Sequence, residues 1–199
     1  RGIDVTMVEM MDQIMPGALD KDIAMIGAKH LTQKGVRLVF GERVTGIGGE
    51  EKAASVETEK QQIPADFVII AVGTRPNDKL AREAGLNCME RGGILINEYC
   101  QTSDKDIYAG GDCAVNHYVS RIAGTPFFVP LGSTANKHGR VIANHLAGLS
   151  VPFSGITCTA IVKAFDFTIG RTGLTERQAR ELNLDIETTT WAGPDMLHY

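Results

Sequence analysis

Near the start of the chain, two short apolar runs bracket one amphipathic stretch with few residues to spare. Val5-Thr6-Met7-Val8-Glu9 reads as a buried strand, followed by a loop that holds Pro16 and Gly17. Asp20 is placed to N-cap a helix running through Lys34. Ile23, Ile26, His30 and Leu31 give that helix one apolar face, and Gly35 stops it. Val36 to Phe40 follows at once as a second strand. Parallel neighbours need a crossover long enough to return the chain to its starting edge, and a helix is the usual one. Strand, helix and strand joined this tightly therefore make a βαβ unit, which implies a parallel sheet and an α/β fold.

The period then changes. Three short strands are expected between Arg43 and Val72, with turns at Gly48-Gly49-Glu50-Glu51 and near Gln61-Gln62. Pro64 precedes the last of them, Phe67 to Val72, a continuous apolar run of the kind covered on both faces. Gly73-Thr74-Arg75-Pro76-Asn77 ends that run as a crossing between two lobes. Ile94 to Ile96 and Ile107 to Ala109 read as further strands. Ser133 or Thr134 opens a second helix, with Ala135, Gly139, Ile142, Ala143 and Leu146 inward and Gly148 at its end. Thr159 to Val162 and Phe165 to Ile169 read as an antiparallel pair. Thr175 with Gln178 three residues later forms a capping box for a short helix ending near Leu184.

Composition narrows the function classes. The 199 residues can hold one large domain or pieces of two or three. A net charge of -4 and no Lys/Arg cluster argue against a nucleic-acid footprint and against an anionic membrane surface. The longest apolar runs are too short to span a bilayer, and no secretory signal is visible. Cys88, Cys100, Cys113 and Cys158 have neither CxxC nor zinc-ligand spacing, so no metal is expected and the thiols read as reduced and cytosolic. Cys113 reads as a small buried residue beside a loop.

Thr102-Ser103-Asp104-Lys105-Asp106-Ile107-Tyr108-Ala109-Gly110-Gly111-Asp112 is the most telling stretch for chemistry. A short apolar run ends in bare backbone and one carboxylate. Gly110 and Gly111 would let a ligand approach the main chain, and Asp112 could accept from a sugar-like hydroxyl at a sheet's C-terminal edge. The same residues also fit a strand-to-turn junction with Asp112 as a local cap. Glu9, at the end of its strand, is where dinucleotide folds hold the adenine-side ribose diol, or else it is a solvated strand end. No Arg or Lys stands beside it, which favours NADH over NADPH. Its usual partner, a GxGxxG loop about 20 residues earlier, lies outside this chain. Gly73 marks either a close approach or a plain sharp turn.

The Thr102 to Asp112 stretch resembles the second FAD-binding motif of the pyridine nucleotide-disulfide oxidoreductases. The resemblance runs through nearly all of the chain, and the coenzyme A-disulfide reductase and NADH oxidase/peroxidase branch is most similar. It implies that Asp112 binds the ribityl chain of FAD, with Gly110 and Gly111 beside it. It places Glu9 on NADH and Gly73 beside the nicotinamide cofactor. Val129 to Arg140 would aim a helix start at the flavin pyrimidine edge, so that the amides of Thr134 and Ala135 stabilise reduced flavin. Asn136 would face a coenzyme A substrate, and Tyr199 would approach the partner subunit's active site as a catalytic residue.

The implied fold is α/β: partial FAD/NAD(P)-binding Rossmann-like, three-layer domains followed by the start of an α+β dimerisation domain. Residues 1–76 would be part of an NAD(P)-binding domain, 77–150 part of an FAD-binding domain and 151–199 the opening of the dimerisation domain. The chain would be a fragment of a cytoplasmic homodimer, lacking an N-terminal half with the first FAD fingerprint and the redox-active cysteine. The whole enzyme would pass hydride from NADH through flavin and that cysteine to a disulfide or persulfide such as coenzyme A disulfide. One alternative is an NADH oxidase or peroxidase of the same family; another is a non-catalytic nucleotide-binding or dimerisation module. Two consequences are expected of the isolated piece: some apolar surface left uncovered, and weak FAD binding without turnover.

Overall fold

The computed structural model describes residues 2–117 and 126–193, which divide into two compact units, 1–68 with 161–199 and 69–160. In the first unit, β1 (Thr6–Glu9) pairs in parallel with β2 (Arg37–Phe40) across α1 (Lys21–Gln33), with Thr6 opposite Arg37 and Glu9 opposite Phe40. This is the expected βαβ unit. Gly35 closes α1 at a φ of 89°, a backbone conformation open to glycine at little cost.

The inward face of α1 differs from the sequence expectation. Ala24 and Gly27 are buried, with Ala28 and Leu31 packed beside them, while Ile23 and Ile26 are exposed. Small residues won this face because the neighbours come very close. A Cβ at Gly27 would stand 2.8 Å from Ile14 Cδ1 and 3.0 Å from Ile169 Cδ1. Ile14, Leu19, Ala24 and Ile169 form the core of this unit. Asp20 occupies the N-cap position of α1 yet caps a different helix. Its carboxylate accepts from the amides of Glu176 (2.8 Å) and Arg177 (3.2 Å), at the start of a helix 156 residues further on.

Next come β3 (Val44–Gly48), β4 (Ser55–Thr58) and β5 (Gln62–Pro64), an antiparallel meander in that order. Its third strand is β5, not residues 67–72. Pro64, which has no N–H to give, is tolerated because β5 is an edge. Residues 67–72 form no ladder strand, and Phe67, Ile69, Ile70 and Val72 stay exposed, Val72 at 90%. An apolar run becomes a covered strand only when another strand offers it a ladder, and none does among the described residues.

In the second unit, α2 (Lys79–Glu83) leads to β6 (Ile94–Leu95), which pairs in parallel with β7 (Ala114–His117). β8 (Pro126–Phe127) adds antiparallel to β7, and α3 (Gly132–Leu146) follows. Residues 107–109 are not a sheet strand as expected. They fold back on residues 100–102 through one bridge, Gln101 to Tyr108, flanked by Thr102 N–H to Ile107 O and Ala109 N–H to Cys100 O. The strand in the parallel pair is β7, just after the glycines.

The buried face of α3 is Thr134, His138 and Val141, spaced by four and three residues, with Ile142 packed against the same core. Of the residues expected inward, Gly139, Ala143 and Leu146 are exposed. Returning to the first unit, β9 (Ala160–Ala164) and β10 (Phe167–Arg171) pair across a two-residue link. There α4 (Glu176–Glu181) begins with the expected capping box: Thr175 Oγ1 accepts from Gln178 N–H, and the Gln178 side chain accepts from Thr175 N–H. No helix among the described residues is long and apolar enough to cross a membrane.

One carboxylate pins the turn that feeds β6. Asp78 Oδ2 accepts from Arg82 Nη2 (2.8 Å), Arg82 Nε (3.0 Å) and the Gly93 amide (2.9 Å). Gly93 has a φ of 105°, and a Cβ there would sit 2.6 Å from Val115 Cγ2. The Arg82 guanidinium first, and the Gly93 amide second, hold the Asp78 carboxyl below its ordinary range against the opposing cost of desolvation. A depressed folded value stabilises above the unfolded value and is lost as pH falls through the folded one. Asp78→Asn should therefore lower the urea midpoint at neutral pH. The gap to the parent should begin to close near pH ~4 and vanish below it, as paired denaturation series across pH will show.

Candidate functional site

The second unit brings together two of the regions singled out in the sequence. Gly111 N–H donates to His138 Nδ1 at 3.1 Å, which joins the turn at residues 110–112 to the middle of α3. A Cβ on Gly110 would stand 3.0 Å from His138 Cβ and 3.2 Å from Ile142 Cδ1, so the helix packs on bare main chain. Gly111 has a φ of 84°, and a Cβ there would meet Ala135 Cβ at 3.6 Å. The turn closes with Ala114 N–H to Gly111 O at 3.1 Å, leaving Asp112 and Cys113 at its tip. Asp112 is exposed, and its carboxylate has no hydrogen bond or ion pair to any described residue.

The start of α3 has its own free groups. Leu131 O accepts from both Thr134 N–H (2.9 Å) and Ala135 N–H (3.0 Å), so these two amides are already used. The amides of Gly132 and Ser133 have no backbone partner among the described residues. Unpaired amides and the aligned peptide dipoles of a 15-residue helix together give this end a partial positive charge. Thr134 is buried, Ala135 half-buried and Asn136 exposed on the first turn.

The far end of α3 is tied down as well. Tyr108 Oη lies 2.8 Å from His145 Nδ1, and the Tyr99 ring stacks on His145 at 4.6 Å between centroids. Helix α3 thus grips the hairpin at residues 100–109 at one end and the turn that follows it nearer the other.

His138 is the residue of this region that sequence reasoning missed. It is fully buried, its ring meets the Phe153 ring edge-on at 4.7 Å, and burial pushes its pKa down, favouring the neutral ring. Its signal in the sequence is faint: one histidine amid Asn136, Lys137 and Arg140, off the face that periodicity turns inward.

The remaining sites belong to other elements. Glu9 ends β1 in the first unit, half-buried, with Oε1 accepting from Met11 N–H at 2.9 Å. Gly73 belongs to the second unit, is exposed, and has a φ of 97° with no heavy atom within 4 Å of a Cβ built on it. Backbone conformation, not close approach within the chain, is what glycine supplies there. Tyr199 and His198 lie outside the described residues.

None of the four cysteines is joined in a disulfide. Burial pushes the Cys100 thiol up to about 11, which makes it unreactive near neutral pH. Cys113 Sγ–H donates to Gly110 O at 3.5 Å. No group of three or more His, Cys, Asp or Glu among the described residues is gathered as metal ligands would be.

Comparison with known proteins agrees with this architecture. A CoA-dependent NAD(P)H sulfur oxidoreductase of Pyrococcus furiosus is 36% identical over 199 residues, all of this chain and 44% of its own length. An NADH oxidase of Enterococcus faecalis is 36% identical over 192 residues, 96% of this chain and 42% of its own. Among solved structures, an NAD-dependent persulfide reductase from A. fulgidus superposes with a TM-score of 0.86 at 40% identity, over 92% of this chain and 34% of that one. The chain spans less than half the length of these relatives. The fold is α/β with Rossmann-like parts. The family model described as pyridine nucleotide-disulphide oxidoreductase matches residues 1–137, and the chain belongs to that family.

Proposed function

We propose that this chain carries the flavin-anchoring turn and the nicotinamide-side strand of an FAD-dependent NADH oxidoreductase. The observation that carries the reading is the turn at residues 110–112. It offers bare glycine backbone and an uncommitted carboxylate, and it packs on a helix whose first two amides are unspent. These features suit a ligand with a polyol chain and a ring edge that gains negative charge.

Asp112 would accept from the ribityl hydroxyls of FAD, and Gly110 and Gly111 would let that chain lie against the main chain. The start of α3 would face the pyrimidine edge. Because Leu131 O takes the Thr134 and Ala135 amides, their contribution is the helix field, and Gly132 and Ser133 supply the free donors. When bound, FAD would take hydride from a nicotinamide and hand electrons to a thiol-based acceptor. Everything these residues add is position and electrostatic field.

Glu9 would hold the adenine-side ribose of NADH, using the carboxylate oxygen that Met11 N–H leaves free. Gly73 would lie beside the same cofactor. The domain assignment, 1–76 for NAD(P), 77–150 for FAD and 151–199 for dimerisation, belongs to this proposal. So do the homodimer, the cytoplasmic setting, the contact of Asn136 with coenzyme A and the catalytic role of Tyr199.

The substrate would be a disulfide or persulfide, reduced through a cysteine outside this chain. Relatives named as a CoA-dependent sulfur oxidoreductase and a coenzyme A polysulfide/persulfide reductase support this class. An NADH oxidase is the second reading, favoured by relatives of that name at similar identity. The exposed run at residues 67–72 supports a longer whole protein. Covering an aliphatic or aromatic side chain stabilises by about 1.5–3 kcal/mol. Four such residues stand open there, enough to rival a small domain's net stability of about 5–15 kcal/mol.

In the whole protein, Asp112→Ala should weaken FAD binding by about 10- to 100-fold, the range for losing hydrogen bonds to a charged group. Flavin content after dialysis reads this, and full retention of pigment would refute the assignment. Calorimetric titration should also show NADH binding more tightly than NADPH. Glu9→Gln should narrow that preference, because removing the carboxylate removes its repulsion of a 2′-phosphate.

A further inference from the structure

We infer that His138 is a positioning residue: its Nδ1 accepts the Gly111 amide and so sets the conformation in which the turn presents the Asp112 carboxylate. The inference rests on the flavin reading of that turn and adds to it the group that shapes the turn from behind.

The argument begins with an orphaned atom. His138 is 0% exposed, and its Nε2 has no hydrogen-bond partner among the described residues. A ring that accepts at Nδ1 must carry its proton on Nε2, so this buried donor goes unsatisfied. A fold that needed only volume between Gly110, Ile142 and Phe153 would be better served by phenylalanine or leucine, which strand no donor. The polar ring therefore acts through its other nitrogen.

That nitrogen meets an amide which needs it. At a φ of 84°, Gly111 turns its N–H toward α3, and His138 Nδ1 is the acceptor in place there. A Cβ on Gly110 would stand 3.0 Å from His138 Cβ, so helix and turn are in close contact there. That contact and the hydrogen bond fix the backbone just before Asp112, which is exposed and has no partner among the described residues. Burial, which favours the neutral ring, keeps Nδ1 able to accept at neutral pH.

Two variants separate position from packing. His138→Phe keeps a ring and loses the acceptor; His138→Asn loses the ring but keeps an acceptor on the same branch of the side chain. Amide hydrogen exchange read by NMR should find Gly111 about tenfold faster in His138→Phe, and close to the parent in His138→Asn despite its lower unfolding midpoint. In the whole protein, FAD should bind about tenfold more weakly to His138→Phe and within about threefold of the parent to His138→Asn. On an Asp112→Ala background, His138→Phe should weaken binding no further.

Unchanged Gly111 exchange in His138→Phe would overturn the inference. So would FAD affinities that follow the unfolding midpoint instead of the acceptor. A parent protein that takes up no FAD while Gly111 still responds to His138→Phe would overturn the flavin reading and leave the hydrogen-bonded turn standing.

Discussion

Helix α3 lies this close to the turn at residues 110–112 because Gly110 has no side chain, while Gly111 supplies a positive φ. A larger residue at Gly110 would press on His138 Cβ and Ile142 Cδ1, and side chain or helix would have to give by a few tenths of an ångström. Moving the helix is not a local matter. Its buried face, Thr134, His138 and Val141, also packs the core built from Ile94, Ile96, Cys100, Ala109 and Ala114. Its last turn holds the hairpin at residues 100–109 through His145, Tyr108 and Tyr99. Turn, hairpin and helix therefore share one constraint, and the position of Asp112 is its outcome.

The first unit uses a comparable device for a different end. Gly27 and Ala24 let α1 settle against Ile14 and Ile169, and the apolar residues of the helix that seemed better suited to a core point outward instead. Dispersion explains the choice. Packing attraction is lost quickly over gaps of half an ångström, so a small residue in full contact can outdo a large one held at a distance. Asp20 then couples this helix to α4 by giving its carboxylate to the amides of Glu176 and Arg177. Around Asp166, where β9 meets β10, Lys34 Nζ lies 2.9 Å away and His30 Nε2 3.0 Å, although the histidine is too poorly aligned to donate. Contacts of high sequence separation thus join α1 to the last part of the chain.

What could be read from the sequence was what the chain settles over a few residues. The capping box at Thr175 and Gln178 needs only its own four positions, and Gly35 needs only a helix to stop. The βαβ unit followed from two apolar runs around one helix and the short link after it, which leaves the second strand little choice of direction. The face of α1 failed because periodicity ranks residues by hydrophobicity, whereas its neighbours required small ones. On α3 the buried face is turned to Thr134, His138 and Val141, which hydrophobicity alone did not rank inward. Residues 67–72 and 107–109 failed for another reason. A strand is a pairing, and an apolar run states a need for a partner without containing it. Pro64 reads as standing before the last strand, yet it ends β5, where an edge position makes its missing N–H harmless. Asp20 was placed at the correct helix start, but its side chain answered to amides that only the folded chain brings near.

The candidate site divided along the same line. Glycines and a carboxylate were legible because the conformations and hydrogen bonds they permit are properties of single residues. His138 was not, because an imidazole becomes an acceptor for one amide only after a helix and a turn have met. The thiols complete the contrast. Cys100, among the most buried groups, is driven away from the reactive thiolate form, and Cys113 donates to the carbonyl of Gly110 within the turn itself. These two thiols are thus tied up in the packing of this unit, whereas the flavin site proposed above would draw on one exposed carboxylate and a helix end. On that reading the residues would hold a redox group in place and bias its charge, with their position set by the packing of helix on turn.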